Sequence, residues 1–522
     1  MRVGFSTIYS WRPHVEHAYF LASLVERAGH SAHFLTCDAD LPTCYTRELR
    51  DRSAWRECLQ CRLGGIRSYT DTNISSIGDL AAKDMGHAER EWSFSSASTL
   101  GRFEAAADYA GEDFSDLVAR LHPTVQMSYR AARAWIVENR LDAVCVFNGR
   151  MDATRAIFEA ARSLGVRVVS LERTWFGDGL QLYPDENCLG LGSVHRLIRQ
   201  WRDLPLTKSQ AFLAASYGAR RFLRQNNREW RAYNVNAETA RWPLENGRRR
   251  ILLVPSSLNE VWGHEDWKTS WTDPLQAYDA LIAHLGLAPE DILLRCHPNW
   301  AEHIGRRGGE LSERHYAEWA NARNVRIIPS DAKASTLELI EQADAIVVAN
   351  GSAALEAGLL GKQVIGIAPS IYQEAGFRDS AMSASELAAL RLHTELSPSE
   401  LGSVRESIAR RTLRFAYTMI HRVPQYTNEV RALATTDFRY AGDVDPGRFI
   451  NLLQGGELQA DDEAHDESPD AENEVLERIA LRDWQSLIGD PRSDPRTYWP
   501  LRRRLMFRPV DGIRSRMPLG DR

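Results

Sequence analysis

Short apolar runs alternate with helix-length amphipathic segments at the start of the chain. Residues 2–8 form a strand-length apolar run, and residues 14–28 carry apolar side chains at helical spacing. Gly29 and His30 end this helix, and residues 32–35 begin a second strand. A strand, a helix and a strand in this order predict parallel sheet, because parallel strands need such a crossover.

The same alternation recurs twice more along the chain. The first recurrence predicts strands at 143–147 and 166–171 around a helix at 151–164, followed by a helix at 207–224. Residues 226–250 are polar and indicate a linker. Beyond it we predict strands at 251–254, 292–296, 325–328, 345–348 and 364–367, and helices at 274–285, 336–342 and 353–360. The pattern predicts an α/β fold with two Rossmann-like, doubly wound domains facing across a cleft.

These elements divide the chain into five predicted parts. They are an N-terminal domain at 1–240 with a cysteine-containing insertion at about 37–112, a C-terminal domain at 250–390, a helical extension at 391–455, an acidic spacer at 456–480 and a basic aromatic tail at 481–522. Nine of the seventeen residues from 461 to 477 are acidic, so we expect the spacer to be disordered.

Composition narrows the classes of protein that remain. The 522 residues are 43% hydrophobic and 26% charged, which excludes a mostly disordered or coiled-coil chain. The net charge of -6 argues against nucleic acid as a partner. No apolar run approaches the length of a membrane span, so we expect a cytoplasmic protein. The basic aromatic tail has two interpretations, namely peripheral contact with the inner membrane or folding back onto an acidic surface of the same protein.

The candidate chemistry begins where the strand at 345–348 ends. Asn350, Gly351 and Ser352 follow this strand and lead directly into a helix of small residues. The free N–H groups at a helix start suit a phosphate, and Gly351 lets an anion approach the backbone. Glu356, one turn further on, could hold a ribose hydroxyl. The alternative is an ordinary turn capped by serine.

Two other turns lie at carboxyl ends of strands in the same half. Arg295 and His297 end the strand at 292–296 and could bind a pyrophosphate. Ser256, Ser257, Asn259 and Glu260 follow the strand at 251–254. The first three are candidate donors to the ligand, and Glu260 and His297 are candidate catalytic groups.

The first half supplies a third set of polar residues at strand ends. Asn148 and Arg150 follow one strand, and Glu172 and Arg173 follow the next. We interpret Asn148, Arg150 and Arg173 as acceptor-binding residues and Glu172 as the leading catalytic carboxylate. The alternative is a structural ion pair of Glu172 with one of the arginines.

A cysteine cluster lies in the predicted insertion. Its members are Cys37, Cys44, Cys58 and Cys61, of which the last two have the spacing of zinc ligands. A structural zinc ion would hold together a segment with little core of its own. Unconnected thiols are the alternative. No cofactor is expected for catalysis.

These motifs together resemble GT-B glycosyltransferases, and among them the bacterial capsule and lipopolysaccharide group that includes the β-Kdo transferases. The motifs that carry the resemblance are Gly29-His30, Asn148-Gly149-Arg150, Glu172-Arg173, Ser256-Ser257-x-x-Glu260, Arg295-x-His297-Pro298 and Asn350-Gly351-Ser352 with Glu356-Ala357 and Gly361-Lys362. The resemblance covers about residues 1–420.

The resemblance implies a donor nucleotide held mainly by the second domain. By that analogy His297 and Ser352 contact the donor phosphate, and Glu172 is a catalytic carboxylate. The related enzymes often carry Asp in the turn after the paired serines, where this chain has Asn259. This departure argues against a covalent mechanism through that position and against Kdo as the sugar. Asn259 could instead position a sugar hydroxyl.

The sequence therefore predicts a metal-independent glycosyltransferase that moves a sugar from a nucleotide-sugar donor, CMP-Kdo or another, to a glycan or glycolipid acceptor in bacterial surface-polysaccharide synthesis. The alternatives are a polyol-phosphate transferase or a nucleotide-sugar epimerase of the same fold. A non-catalytic scaffold for glycan assembly is the alternative outside enzymes.

Overall fold

The structure, a computed structural model, describes residues 1–226, 228–229, 234–243, 249–304, 307–489, 496–509 and 511. The predicted linker at 226–250 and the predicted tail at 481–522 therefore lie partly outside the described residues. The strands are β1 (Arg2–Ser6), β2 (Ser31–Thr36), β3 (Ile74–Ser76), β4 (Ala143–Phe147), β5 (Arg167–Arg173), β6 (Leu180–Pro184), β7 (Ile251–Val254), β8 (Ile292–Arg295), β9 (His303–Ile304), β10 (Arg307–Gly308), β11 (Arg326–Ile328), β12 (Ala345–Val348), β13 (Gln363–Gly366), β14 (Asp379–Ser380), β15 (Val430–Ala434), β16 (Asp437–Ala441) and β17 (Tyr498–Trp499).

The α-helices include those predicted from amphipathic segments and others that were not predicted. They are α1 (His14–Arg27), α2 (Tyr45–Arg50), α3 (Ala54–Gly64), α4 (Ile77–Leu80), α5 (Phe94–Gly101), α6 (Ala106–Tyr109), α7 (Glu112–Asn139), α8 (Asp152–Ser163), α9 (Gly192–Trp201), α10 (Lys208–Phe222), α11 (Pro274–Leu285), α12 (Glu310–Ala322), α13 (Thr336–Gln342), α14 (Ala353–Leu359), α15 (Ala384–Ala389), α16 (Pro398–Tyr417), α17 (Gly447–Leu453) and α18 (Asp470–Ala480).

The strands form two six-stranded sheets, which we call the first and second lobes with the helices that cover them. The first sheet has the order β3-β2-β1-β4-β5-β6, parallel except for β6. The second has the order β11-β8-β7-β12-β13-β14 and is parallel throughout. The central strands are buried on both faces, which explains their continuous apolar runs. The predicted fold class of two doubly wound domains is confirmed.

The predicted insertion contains more regular structure than its polar sequence indicates. It holds several short helices, and β3 adds a parallel edge strand to β2. Helices α5 and α6 reach the second lobe, where the ring of Tyr109 stacks on Trp262 at 3.9 Å between centroids. The Ser98 hydroxyl donates to the Asn259 carbonyl at 3.0 Å, and Arg102 donates to the Asn299 carbonyl at 2.6 Å. The insertion therefore joins the two lobes.

The acidic segment at 456–480 departs from the expectation of a disordered spacer. Its residues from Asp470 onward form α18, and the Glu472 carboxylate is fully buried against α16. Arg414 donates two hydrogen bonds to Glu472, at 2.8 and 2.9 Å, and Arg410 donates a third at 3.0 Å. The expectation did not allow for arginines elsewhere in the chain that compensate the acidic charge.

The described part of the basic tail lies on the first lobe. Strand β17 pairs with β16, and the Arg504 backbone N–H donates to the Ser68 carbonyl at 2.8 Å. Arg496 pairs with Glu429 at 2.6 Å. The tail thus folds back onto the protein over these residues. Within the described ranges, no helix is both long and apolar enough to cross a bilayer.

Candidate functional site

The first group of candidate residues meets at the carboxyl edge of the first sheet. Strands β4 and β5 are parallel neighbours, so Asn148 and Glu172 leave the sheet at the same edge. The Asn148 amide donates to Glu172 Oε2 at 2.9 Å, and the Arg173 backbone N–H donates to Oε1 at 3.0 Å. The structure therefore brings together two residues that the sequence placed at separate strand ends.

His14 is a member of this group that the sequence reasoning missed. It is the first residue of α1, and its Nε2 lies 2.5 Å from Glu172 Oε1. Its ring packs against Phe147 at 4.2 Å between centroids. Its position in the sequence could have identified it, because the turn after β1 leads to the same sheet edge as the turns after β4 and β5.

The electrostatics of this pair favour an ionised carboxylate. Burial alone would raise the pKa of Glu172, but the charge and hydrogen bond of His14, with the hydrogen bonds from Asn148 and Arg173, lower the pKa below its ordinary value. The Glu172 side chain is still 17% exposed. A carboxylate that is ionised, oriented and reachable can accept a proton from a bound hydroxyl group.

The two predicted arginines have different surroundings. Arg150 donates to the hydroxyls of Ser95 at 2.7 Å and Thr99 at 3.2 Å. Arg173 is buried and donates to the Arg228 carbonyl at 3.2 Å. Burial lowers the pKa of Arg173 to about 10, although the nearby carboxylates of Glu172 and Glu229 act in the opposite direction. Arg173 is therefore a cation near the Glu172 carboxylate. Acceptor binding by Arg150 and Arg173 stays a prediction.

The second group lies at the carboxyl edge of the second sheet. Parallel pairing of β7 with β12 brings Ser256 beside Asn350, whose backbone N–H donates to the Ser256 hydroxyl at 3.4 Å. A Cβ on Gly351 would lie 3.1 Å from the same oxygen, so the two turns are in close contact. Ser352 immediately precedes α14, is exposed and makes no capping hydrogen bond through its side chain. The turn is therefore open to a ligand.

The remaining residues after β7 divide between the interior and the surface. The Ser257 hydroxyl accepts from the Trp300 indole at 3.0 Å, and Asn259 is buried against Glu104. Glu260 is exposed. Ser257 thus packs within the second lobe, whereas Asn259 contributes to the contact between the two lobes. Their role in donor binding, and catalysis by Glu260, stay predictions.

The turn after β8 is organised by its own side chains. Arg295 is buried and donates to the carbonyls of Pro329 at 2.5 Å and Ala332 at 2.9 Å, and burial lowers its pKa. His297 is half-buried and its Nδ1 accepts from the Asn299 backbone N–H at 3.2 Å, which caps a short helical turn. Arg295 therefore positions a neighbouring loop, and the contact of either side chain with phosphate stays a prediction.

Glu356 belongs to a buried charge network between α10 and α14. Arg221 on α10 forms an ion pair with Glu356 and another with Glu229 at 2.6 Å. Burial raises the pKa of Glu356, opposed by the charge of Arg221. The sequence suggested a ribose contact for Glu356, which stays a prediction. In the structure this carboxylate connects α14 to α10.

A connection between the lobes centres on Glu104, which the sequence reasoning also missed. Its carboxylate is 1% exposed and accepts from the Leu258 N–H at 2.8 Å. Burial raises the pKa of Glu104 to about 8. Arg102, two residues earlier, donates to the Glu302 carbonyl at 2.6 Å. No sequence pattern marked these residues, because their partners lie about 150 to 200 positions away.

A separate cavity has a volume of about 540 Å³, and none of the predicted site residues is among those that line it. It is lined by the start of α9 on one side and by the loops after β7, β13 and β14 on the other. His195 donates from Nε2 to the Ser370 carbonyl at 2.8 Å, and Asp266 accepts from the Leu191 N–H at 2.9 Å. Burial lowers the pKa of His195. The volume and the polar lining suit a small hydroxyl-rich molecule.

The four cysteines of the insertion line one cavity beneath α3. Burial raises the pKa of Cys37 and Cys61 and raises the pKa of Cys44 to about 12, so these thiols are protonated at neutral pH. Zinc binds thiolates. Across the described ranges, no group of three or more His, Cys, Asp or Glu side chains is arranged to hold a metal ion. This arrangement does not fit zinc, whose presence stays a prediction.

Comparisons with known proteins give distant structural similarities. No protein-family model and no curated protein matches the chain. The β-Kdo 2,4-transferase of Thermosulfurimonas dismutans KpsC is 15% identical, over 60% of this chain and 87% of that one, with a TM-score of 0.32. The UDP-GlcNAc 2-epimerase of Neisseria meningitidis is 12% identical, over 80% and 98%, with a TM-score of 0.28. MurG of Acinetobacter baumannii is 13% identical, over 79% and 94%, with a TM-score of 0.25.

Proposed function

We propose that this protein is a glycosyltransferase that moves a sugar from a nucleotide-sugar donor to a hydroxyl group of a glycan acceptor. The observation that carries the proposal is the His14–Glu172 pair at the carboxyl edge of the first sheet. Ligands of doubly wound sheets bind beyond this edge. The open turn from Asn350 to Ser352 lies at the corresponding edge of the second sheet.

The donor phosphate binds at the turn from Asn350 to Ser352 in this proposal. The backbone N–H groups of the turn and the hydroxyls of Ser256 and Ser352 donate to phosphate oxygens. His297, at the end of the neighbouring strand β8, adds a cationic donor when it is protonated. These groups stabilise the charge that develops on the leaving phosphate, so this step needs no metal ion.

The acceptor hydroxyl is activated in the first lobe. Its proton passes to the Glu172 carboxylate as its oxygen forms a bond to the anomeric carbon of the donor sugar. The bond from that carbon to the phosphate oxygen breaks, and the phosphate keeps the electron pair. His14 orients the carboxylate and keeps its pKa low until the proton arrives. Arg150 and Arg173 bind the acceptor.

The motif resemblance supports a more specific proposal for the donor, the acceptor and the biological process. We propose CMP-Kdo or another nucleotide sugar as the donor, and assembly of a bacterial capsule or lipopolysaccharide as the process. The acceptor is then a glycan or glycolipid, and the enzyme works in the cytoplasm at the inner membrane.

The test is incubation of the purified protein with radiolabelled CMP-, UDP- and GDP-sugars, with and without glycan acceptors. We expect acceptor-dependent transfer from one donor. The variant Glu172→Gln keeps the shape of the side chain but cannot take a proton, so transfer should fall by about 10²–10⁴-fold. Donor binding, measured as a thermal shift, should be unchanged because the donor is held by the other lobe.

The matched control is Glu138→Gln, which changes a half-exposed carboxylate at the far end of α7. It should retain the full rate. Transfer by Glu172→Gln at the rate of the unmodified protein would refute the assigned role. Conversion of the donor sugar in the absence of any acceptor would indicate an epimerase instead.

A further inference from the structure

Helix α3 exposes an apolar stripe to solvent. Trp55, Leu59 and Leu63 are 72%, 51% and 36% exposed. Their spacing of four residues places the three side chains along one face of the helix. Large exposed apolar groups that are contiguous mark a surface that contacts something apolar.

The described part of the C-terminal tail extends this stripe. Arg503 donates to the Leu63 carbonyl at 3.0 Å, and its guanidinium lies over the Tyr69 ring at 5.5 Å. These contacts dock the tail at the end of α3. The next residues, Leu505 and Met506, then stand 75% and 70% exposed. We call Trp55, Leu59, Leu63, Leu505 and Met506 the α3 surface.

The charges around the α3 surface are predominantly basic. Arg56, Arg62, Arg502 and Arg508 are exposed on α3 and on the tail. The acidic groups of the same stretch are engaged with other arginines. Glu57 is buried and pairs with Arg50 at 2.7 Å, and Asp71 pairs with Arg504. A ligand of this surface meets apolar side chains at the centre and guanidinium groups at the rim.

We propose that the α3 surface binds an anionic phospholipid bilayer from one side. A helix that carries Trp and Leu on one face with arginines beside them inserts shallowly at the boundary between headgroups and acyl chains. Guanidinium groups at the rim pair with lipid phosphates, and their long stems cover apolar surface. A protein partner would not require the basic rim, so charge complementarity favours the bilayer.

The position of the surface connects it to the acceptor side of the site. Asp511 of the tail lies 3.3 Å from both Arg503 and Arg12. Arg12 precedes His14 by two residues in the turn after β1. A bilayer bound at α3 thus lies against the lobe that carries Glu172. The link between the bilayer and Glu172 rests on the proposed function and implies a lipid-anchored acceptor. Bilayer binding by the α3 surface does not depend on the proposed function.

The test is co-sedimentation of the full chain with vesicles, without donor or acceptor, so that its outcome is separate from that of the transfer assay. We expect at least tenfold tighter binding to vesicles of phosphatidylcholine with 30% phosphatidylglycerol than to pure phosphatidylcholine in about 0.1 M salt. The preference should diminish at 1 M salt, where charges are screened. The double variant Arg56→Gln with Arg502→Gln should also reduce the preference for anionic vesicles.

Variants of the apolar stripe test directly whether the α3 surface binds the bilayer. Trp55→Ser with Leu59→Ser should weaken binding at least tenfold, and Leu59→Glu alone should do so by placing a negative charge at the bilayer. Leu481→Ser changes a side chain that is 73% exposed elsewhere and should leave binding unchanged. These positions are on the surface, and a retained thermal midpoint shows that each variant is folded.

Three results would overturn the proposal. The first is equal binding of the unmodified protein to neutral and anionic vesicles, or to neither. The second is unchanged binding of the folded stripe variants. The third is a dimer in light scattering that Leu59→Glu converts to a monomer without any vesicle binding, which would assign the surface to a second copy of the chain.

Discussion

A substitution of Glu104 can test how the two lobes are held together. The Glu104 carboxyl is buried between them and accepts from the Leu258 N–H at 2.8 Å, with longer contacts of 3.3 to 3.4 Å from Asn259, Ser312 and Tyr316. Burial raises its pKa to about 8 from the ordinary value of 4.5. The four donors do not fully compensate the lost hydration of the charged form.

The direction of the effect on stability follows from this pKa. Between pH 4.5 and about 8 the folded protein keeps a proton that the unfolded chain releases. The free energy of unfolding therefore falls as the pH rises through this window, by about 1.4 kcal/mol per pH unit. The full loss is on the order of 5 kcal/mol and is complete above about pH 8.

The variant Glu104→Gln removes this dependence because an amide does not ionise. Scanning calorimetry at pH 5.5, 7.0 and 8.5 measures the difference in thermal midpoint between the variant and the unmodified protein, in which all other groups cancel. We expect the variant to gain about 3 kcal/mol relative to the unmodified protein across this range, or roughly 6–12 °C for a unit of 150–250 residues.

The control is Glu318→Gln, which changes an exposed carboxylate on α12, the helix that carries Ser312 and Tyr316. The difference in thermal midpoint between this variant and the unmodified protein should not vary with pH. If the difference in thermal midpoint between Glu104→Gln and the unmodified protein is the same at pH 5.5 and at pH 8.5, Glu104 is ionised in the folded protein throughout. That result would contradict the raised pKa.

Two further predictions concern stability. Arg221→Met leaves two buried carboxylates without their shared cation and should cost about 3–5 kcal/mol in urea unfolding, whereas Arg199→Met, in a half-exposed ion pair, should cost less than about 1 kcal/mol. Gly149 has a φ of +71°, and a Cβ there would lie 2.8 Å from the Ser170 hydroxyl. Gly149→Ala should therefore lower the thermal midpoint further than Gly165→Ala, where φ is +67° and no atom lies within 4 Å; equal effects would show that backbone strain alone decides.

Most strands and helices of the two sheets were predictable from local pattern. The predicted strand at 143–147 and helix at 274–285 match β4 and α11 residue for residue. Such segments repeat their apolar residues with the period of the element they form, and the interior of a parallel sheet accepts only continuous apolar runs. The amphipathic helix α7 and the antiparallel strand β6 were not predicted.

The candidate site was predictable only in part. Because turns after neighbouring parallel strands meet at one edge, the consecutive strands before Asn148 and Glu172 were enough to group these two residues. Ser256 and Asn350 follow strands that are neighbours only in the folded sheet. The partner of Glu172 was not predictable in this way, since His14 is 158 positions away in the chain and histidine in a turn is common.

The sequence by itself determined the elements, the fold class and which turns face the cleft, because these depend on periodicity and on the direction of parallel strands. Only the tertiary structure decided which charges meet. Arg221 joins Glu229 to Glu356, and Glu472 is buried between Arg410 and Arg414, although its own segment has the composition of a disordered spacer. A buried charge depends on the partner that compensates it, and the fold brings that partner from a distant part of the chain.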